Sequence, residues 1–438
     1  MDMAGHTTRT VRAGLENDMA YGSVVPPVYL STNFAFESFG NKREYDYTRC
    51  GNPTRSILAE ALADLEGGAG AVVTATGTAA ITLALLTFVK PGQKVLAPCD
   101  CYGGTWRLLS TLAETRHLDV EFVSMTGTAA VSAITEQRPA VVFIETPSNP
   151  LLHVTDIRAT AAAAKQVGAV VVADNTFLSP LGQQPLQLGC DIVLHSTTKY
   201  INGHSDVVGG AVVAKTAEDA ERLAWWANVL GVTGSPFDSY LTLRGLRTLR
   251  ARLNVHQSNA RVLAETLAGR PEVSAVYYPG LPDSPDHKLA TAQQQGYGGM
   301  VSFELAGGEA AVEAFLTGLK HFSLAESLGG VESLVAHPAS MTHAAMDATA
   351  QAAAGVTPGL LRLSVGIEDT DDLVGDVLAG LERAGAATET TATPVTRPAS
   401  ARAGTTATGA EIRPATPEGA AARAAAAATA ATRTAAVC

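Results

Sequence analysis

Between residues 57 and 215, short apolar runs recur without polar alternation, spaced by alanine-rich segments. The runs fall at 71–74, 94–97, 120–123, 140–145, 169–173, 192–195 and 210–214. Stretches such as 78–88 and 157–167 lie between them and read as helices. Strands that are apolar on both faces and alternate with helices predict an α/β unit, its mainly parallel sheet covered on both sides. In such sheets ligand sites gather at the carboxyl ends of the strands.

The pattern changes on either side. Residues 1–60 show no sustained period; "YGSVVPPVYLSTNF" and "YDYTRCGNPT" read as an extended arm. Residues 218–268 read as mostly helical, broken at 231–236. Then "VSAVYYPG", "GGMVSFEL", a helical 310–319, the alternating strand "LLRLSVGIE" and a helical 371–384 predict a smaller α+β unit. The expected division is an arm at 1–60, the α/β domain at 61–255, a second domain at 256–385 and a tail at 386–438. The tail is nearly all Ala, Thr, Pro, Arg and Gly, with too little apolar surface to offset the entropy of ordering, and is expected to be disordered.

Composition narrows the classes. Hydrophobic residues make up 46% of the 438, but much of this is alanine. The longest apolar run, near 81–89, is far short of the ~20 residues of a spanning helix, so no membrane partner is expected. The N-terminus lacks the apolar segment of a secretory signal. Five scattered cysteines predict reduced thiols and a cytoplasmic setting. A formal charge of −11 disfavours nucleic acid.

Candidate chemistry centres on "DIVLHSTTKYINGHSDVVGG". A lone lysine after a strand is ordinarily a surface residue. Lys199, however, follows Ser196 and Thr198, whose hydroxyls suit phosphate oxygens. Asp174 ends another run, "AVVVADNTF", on the same edge if the strands are parallel. A lysine, a carboxylate and phosphate-binding hydroxyls at one edge meet the needs of pyridoxal phosphate (PLP). In "TATGTAA" the turn at Gly77 opens a helix whose first N–H groups could cradle phosphate, though an ordinary threonine-capped turn fits equally well. Tyr102 follows a third strand and could stack on a flat ring or be a half-buried loop tyrosine. Asn149 lies in "IETPSNP", again at that edge, or is simply a turn asparagine. Arg362, flanked by leucines, reads as a partly buried carboxylate binder in need of a partner charge. His204, Ser205 and Asp206 read as a glycine-rich turn behind the lysine rather than a hydrolytic triad. Cys99 and Cys101 form no C-x-x-C pair, so no metal site is expected.

The stretches "YDYTRCGNPTR", "DLEGGAGAVVTATGTAA", "ETPSNPLL", "VVADNTF", "HSTTKYINGHSDVVGG", "SYLTLRGLRTL" and "AESLGGVESLVAHPASMTH" resemble the Cys/Met-metabolism family of PLP enzymes over roughly residues 6–384. The resemblance implies the aspartate-aminotransferase-like fold type I. It also implies roles: Lys199 as Schiff-base lysine and proton shuttle, with Tyr102 as ring-stacking and catalytic partner. Asp174 would pair with the pyridine nitrogen, while Gly77, Thr78, Ser196 and Thr198 hold the phosphate. Tyr47 and Arg49 would reach the neighbouring subunit's cofactor phosphate, in a homotetramer built as a dimer of dimers. Asn149, Ser327 and Arg362 would hold the substrate α-carboxylate, with Glu326 and Arg107 at its side-chain end. The family has a larger apolar residue where Thr78 stands, and the tail has no counterpart. The implied activity, favoured by "LAWWANVLGVTGSPFDSYLTLRGLRTL", is γ-replacement on small amino-acid substrates: O-succinyl-L-homoserine plus L-cysteine giving L-cystathionine plus succinate. Elimination from cystathionine, sulfhydrylation of an O-acylhomoserine, or transamination on the same fold are the alternatives.

Overall fold

The computed structural model describes residues 4–115 and 117–392. Seven strands build the larger sheet: β1 (Gly70–Thr74), β2 (Lys94–Pro98), β3 (Asp119–Val123), β4 (Val141–Glu145), β5 (Val170–Asp174), β6 (Ile192–His195) and β7 (Gly210–Ala214). Their order is β1-β7-β6-β5-β4-β2-β3. Strands β2 to β6 pair in parallel, as the alternation with helices predicts. β7 departs from this and lies antiparallel to both β6 and β1. The link from β6 to β7 contains no helix, so it lacks the crossover element that usually carries a chain back to start a parallel strand. Every strand but β7 therefore delivers its carboxyl end to one edge, and β7 begins there.

Both faces are covered, which is why the runs lack polar alternation. Val141, Phe143, Val172 and Leu194 pack on one side with Leu83 and Leu85. Val142, Ile144, Val171 and Ala173 pack on the other, against Ile134, Ile157 and Ala164. A further core joins Val73, Val193 and Val213 to Leu58, Leu62 and Leu65.

Those leucines belong to the helix Pro53–Glu66, which the reading of residues 1–60 as an extended arm missed. Its start is chemically explicit. Asn52 accepts from the N–H groups of Thr54 and Arg55, and Pro53 occupies the first turn. A short helix, His6–Arg12, precedes it. Between these helices the chain is irregular and exposes Met19, Tyr21, Leu30 and Phe39.

The smaller sheet comprises β8 (Val273–Tyr277), β9 (Met300–Leu305), β10 (Ser323–Leu324), β11 (Leu334–Ala336) and β12 (Leu360–Ser364), ordered β10-β11-β12-β9-β8. The alternation expected in β12 is not seen, because every residue of that strand is buried. Leu361 and Leu363 pack with Phe303, Phe315, Leu373 and Val377. Arg362 and Ser364 point the other way, towards the first sheet's edge, where they are buried as well. The helix Leu249–Ala268 serves both units: Leu249 and Leu253 join the larger sheet's core, and Leu263 and Leu267 the smaller one's. The last helix, Thr370–Ala392, runs past the expected end at residue 385, and the rest of the expected tail lies outside the described residues.

Two contacts fix the turn that follows Lys199. Gly245, in the helix Pro236–Leu246, lies so close to the turn that a Cβ would stand 2.0 Å from the Asn202 carbonyl oxygen. Buried Arg252 donates to the carbonyls of Tyr200 at 2.7 Å, Ile201 at 3.3 Å and Gly245 at 2.8 Å. The obstacle at Gly245 is backbone, which cannot rotate away. Gly245→Ala is therefore expected to cost about 1–3 kcal/mol by overpacking, read as a lower urea midpoint with an unchanged slope.

Candidate active site

A cavity of roughly 580 Å³ opens at the edge where the strands end. One end of it is built from two turns. After β1, Thr76 caps the helix Gly77–Phe88 by accepting from the N–H of Ala79 at 2.9 Å. Gly77 and Thr78, both lining the cavity, then hold first-turn N–H groups that have no partner within the helix. Glycine is required at 77 because a Cβ there would meet the Ser196 Cβ at 2.8 Å. Ser196 follows β6 and donates its N–H to Thr176 Oγ1 at 2.9 Å. Thr198 Oγ1 bonds the backbone of Gly209 in both senses, accepting at 2.9 Å and donating at 3.2 Å.

Lys199 follows directly. Its Nζ donates to Ser327 Oγ at 2.8 Å. Burial, then the charge of Arg362, brings its ammonium down to about 8, against the pull of Glu326 and Asp174. Asp174 lines the same cavity, and among the described residues no ion pair joins it to the lysine. Its Oδ1 accepts from the Thr176 N–H at 3.0 Å and hydroxyl at 2.5 Å. Burial raises this carboxyl, and the two bonds from Thr176 oppose the rise.

Glu145 was not singled out in the sequence, yet it lines the cavity and stands in register with Asp174 on the neighbouring strand. Burial and the charge of Asp174 push its carboxyl well up. Its Oε2 accepts from the Tyr102 N–H at 3.0 Å, which anchors the start of the helix Gly103–Glu114. The Tyr102 ring, 40% exposed, looks into the cavity. Gly104 makes room for it, since a Cβ there would touch the ring at 2.3 Å. Thr176 and Thr342 also line the cavity. Thr176 was readable from its place two residues after Asp174. Thr342 lies in the stretch ending "ASMTH" that carries the resemblance but was given no role; the packing of Gly103 against its carbonyl brings it there.

The wall facing the lysine comes from the smaller sheet. Arg362 is 2% exposed and donates to Asn149 Oδ1 at 2.7 Å and to the Ser327 carbonyl at 2.9 Å. Its Nε has no partner. The partner charge expected for Arg362 is not in ion-pair contact; its hydrogen-bond partners are neutral. Burial lowers the guanidinium to about 10. A buried cation bonded only to neutral groups suits an incoming carboxylate. Ser327 is held at φ 85°, a left-handed conformation unusual for serine, and Glu326 stands beside it in the cavity lining.

Three expected residues lie elsewhere. Arg107 is exposed and outside the lining, although its charge reaches the Tyr102 hydroxyl. Tyr47 and Arg49 are on the arm, with the guanidinium 5.5 Å from the tyrosine ring centroid. The His204 to Asp206 stretch is a turn: His204 Nδ1 is 2.7 Å from the Asn202 carbonyl, and Asp206 accepts from Asn202 at 2.7 Å. Among the described residues no acidic, histidine and cysteine cluster could hold a metal ion.

The donor set fits PLP on its own chemistry. Helix N–H groups and hydroxyls lie at one end, a buried carboxyl in the floor, an aromatic face at the side and an amine of lowered basicity in reach. Comparison with known proteins agrees. The family model for Cys/Met metabolism PLP-dependent enzymes matches residues 7–382. The chain is 52% identical to the cystathionine γ-synthase of Escherichia coli (strain K12), over 86% of this chain and 98% of that one. It is 46% identical to that of Mycobacterium tuberculosis (strain H37Rv), over 86% and 96%. A cystathionine γ-synthase structure from Xanthomonas oryzae pv. oryzae in complex with cystathionine superposes with a TM-score of 0.87 at 61% identity, covering 88% of this chain and 99% of that one. The chain belongs to the Cys/Met-metabolism family of PLP-dependent enzymes, with the fold type I architecture that its sequence predicts.

Proposed function

We propose that this enzyme catalyses γ-replacement, converting O-succinyl-L-homoserine and L-cysteine into L-cystathionine and succinate. The observation that carries the reading is the near full-length likeness to γ-synthases, one of them solved with cystathionine. The cavity supports it with a buried carboxylate receptor, Arg362, beside an amine of lowered basicity, Lys199.

When bound, PLP supplies an aldehyde for the lysine amine and a ring that accepts the electrons left by a departing α-proton. Asp174 would hold the pyridine nitrogen charged. Gly77, Thr78, Ser196 and Thr198 would seat the phosphate, and Tyr102 would cover the ring. Arg362, Asn149 and Ser327 would receive the substrate α-carboxylate, placing the α-carbon near Lys199. Lys199, once its amine is free, removes the α-proton and later returns it, with the Tyr102 hydroxyl as a second proton carrier at the cavity wall. An amine near 8 suits this work, since it gives and takes protons close to working pH. Glu326 and Arg107 would face the side-chain end. There the bond from the γ-carbon to oxygen breaks, succinate leaves with the electron pair, and the cysteine thiol gives up its proton as its sulfur bonds to the same carbon.

Tyr47 and Arg49 lie outside their own chain's cavity on an arm rich in exposed apolar residues. That supports their serving the cofactor phosphate of a second copy, within a homotetramer. Three cysteines, Cys50, Cys101 and Cys190, are free, which is compatible with a cytoplasmic setting. A second reading, elimination from cystathionine, draws on a γ-lyase of Dictyostelium discoideum that is 44% identical.

Incubation of the PLP-loaded enzyme with O-succinylhomoserine, with and without cysteine, is expected to give cystathionine by mass spectrometry only when both are present. Rapid breakdown of cystathionine without any synthesis would favour the lyase instead. Lys199→Ala is expected to abolish turnover together with the visible absorption of the bound cofactor. Only the uncharged amine attacks an aldehyde, so protonation must slow capture. The rate of PLP capture by apoprotein should therefore rise with pH around a midpoint of about 8, rather than near the ordinary lysine value of ~10.4.

A further inference from the structure

The motif "DLEGG" ends the helix Pro53–Glu66, and the chemistry above gives its glutamate no task. Glu66 is completely buried. It stands at the carboxyl end of its helix, where the macrodipole disfavours a negative charge. The two glycines explain how it gets there. Gly67 closes the helix at φ 71°, and Gly68 presses on β7, where a Cβ would stand 2.7 Å from the Ala214 carbonyl oxygen.

Glu66 Oε1 sits 2.7 Å from His195 Nε2 and accepts from Asn175 Nδ2 at 2.9 Å. Asn175 exchanges contacts with Gln183, accepting from its side chain at 3.2 Å and donating to its carbonyl at 2.8 Å. Gln183 in turn donates to the Thr146 carbonyl at 3.0 Å. Each strand-end member of this knot is a chain neighbour of a cavity residue. Thr146 follows Glu145, Asn175 follows Asp174, and His195 precedes Ser196. Because strand side chains alternate between faces, the knot lies on the face opposite the side chains that look into the cavity. Glu66 Oε2 and His195 Nδ1 have no partner, so the arrangement is not one that maximises stability.

We propose that Glu66 is a positioning residue for the cofactor: through His195 and Asn175 it locks the ends of β5 and β6, and so fixes the spacing between the pyridine acid, Asp174, and the phosphate seat at Ser196. The proposal rests on the reading that the cavity takes PLP. It assigns to Glu66 an effect on cofactor affinity larger than its effect on folding.

The test compares Glu66→Leu, which removes the acceptor that ties His195 to Asn175, with Glu66→Gln, whose amide oxygen can still accept. PLP dissociation constants of the apoproteins are measured by equilibrium dialysis, with apoprotein melting temperatures and the holoprotein visible spectrum alongside. Glu66→Leu is expected to weaken PLP binding roughly tenfold or more and to alter the visible band. Glu66→Gln should stay within about threefold of the parent, a rescue by the conservative change. An apoprotein melting shift with an unchanged PLP constant and spectrum in Glu66→Leu overturns the proposal, leaving a structural role only. If Glu66→Leu does not fold, His195→Gln is read by the same criteria, and an unchanged constant there overturns the proposal. Failure of the parent protein to bind PLP would instead defeat the underlying reading of the cavity.

Discussion

Two cations share one desolvated cavity, and much of the site follows from that burial. Burial brings Lys199 and Arg362 below their ordinary values, and the charge of Arg362 adds to the fall at Lys199. Neither is in ion-pair contact with a carboxylate; Lys199 holds a serine hydroxyl, and Arg362 an asparagine oxygen and a carbonyl. A buried cation without a close carboxylate forfeits stability but suits an incoming one. The balancing acids, Glu326 and Asp174, act across the cavity. The space between lysine and aspartate is where a flat cofactor would fit.

The fold makes this possible by bringing polar groups to the one place where an otherwise apolar sheet ends. Within β4, β5 and β6 nearly every side chain is buried in a hydrocarbon core. At the carboxyl edge the chains turn, and Glu145, Asp174 and Ser196 emerge side by side. β7 enters the same edge from the opposite direction, bringing Gly209 to hold Thr198. The smaller sheet closes the cavity by burying Arg362 on the face of β12 opposite its leucines. A single helix, Leu249–Ala268, contributes to both cores, and its Arg252 grips the turn after the lysine. The two sheets are thereby held in register with the site between them.

Residues outside the cavity lining share in this. Gly245 and Gly104 act by what they lack, admitting a backbone and a ring respectively. The knot around Glu66 is polar chemistry on the hidden face of the same strand ends.

The strand runs, the lysine and the aspartate were legible because each depends on local order: a buried strand must be apolar, and a site at its end must begin where the apolar run stops. The resemblance then named the remaining candidate groups, most of which line the cavity. Other features could not be read from the chain. The helix at Pro53 had its cap in plain view but was masked by the irregular arm before it. The reversed direction of β7 depends on whether a link crosses the sheet or returns, and that is a matter of packing. The full burial of β12, the neutral partners of Arg362 and the arrival of Thr342 all depend on which distant segments come together. Local sequence carries the periodicity and the chemical types; the balance of charge and desolvation inside the cavity exists only once those segments have packed.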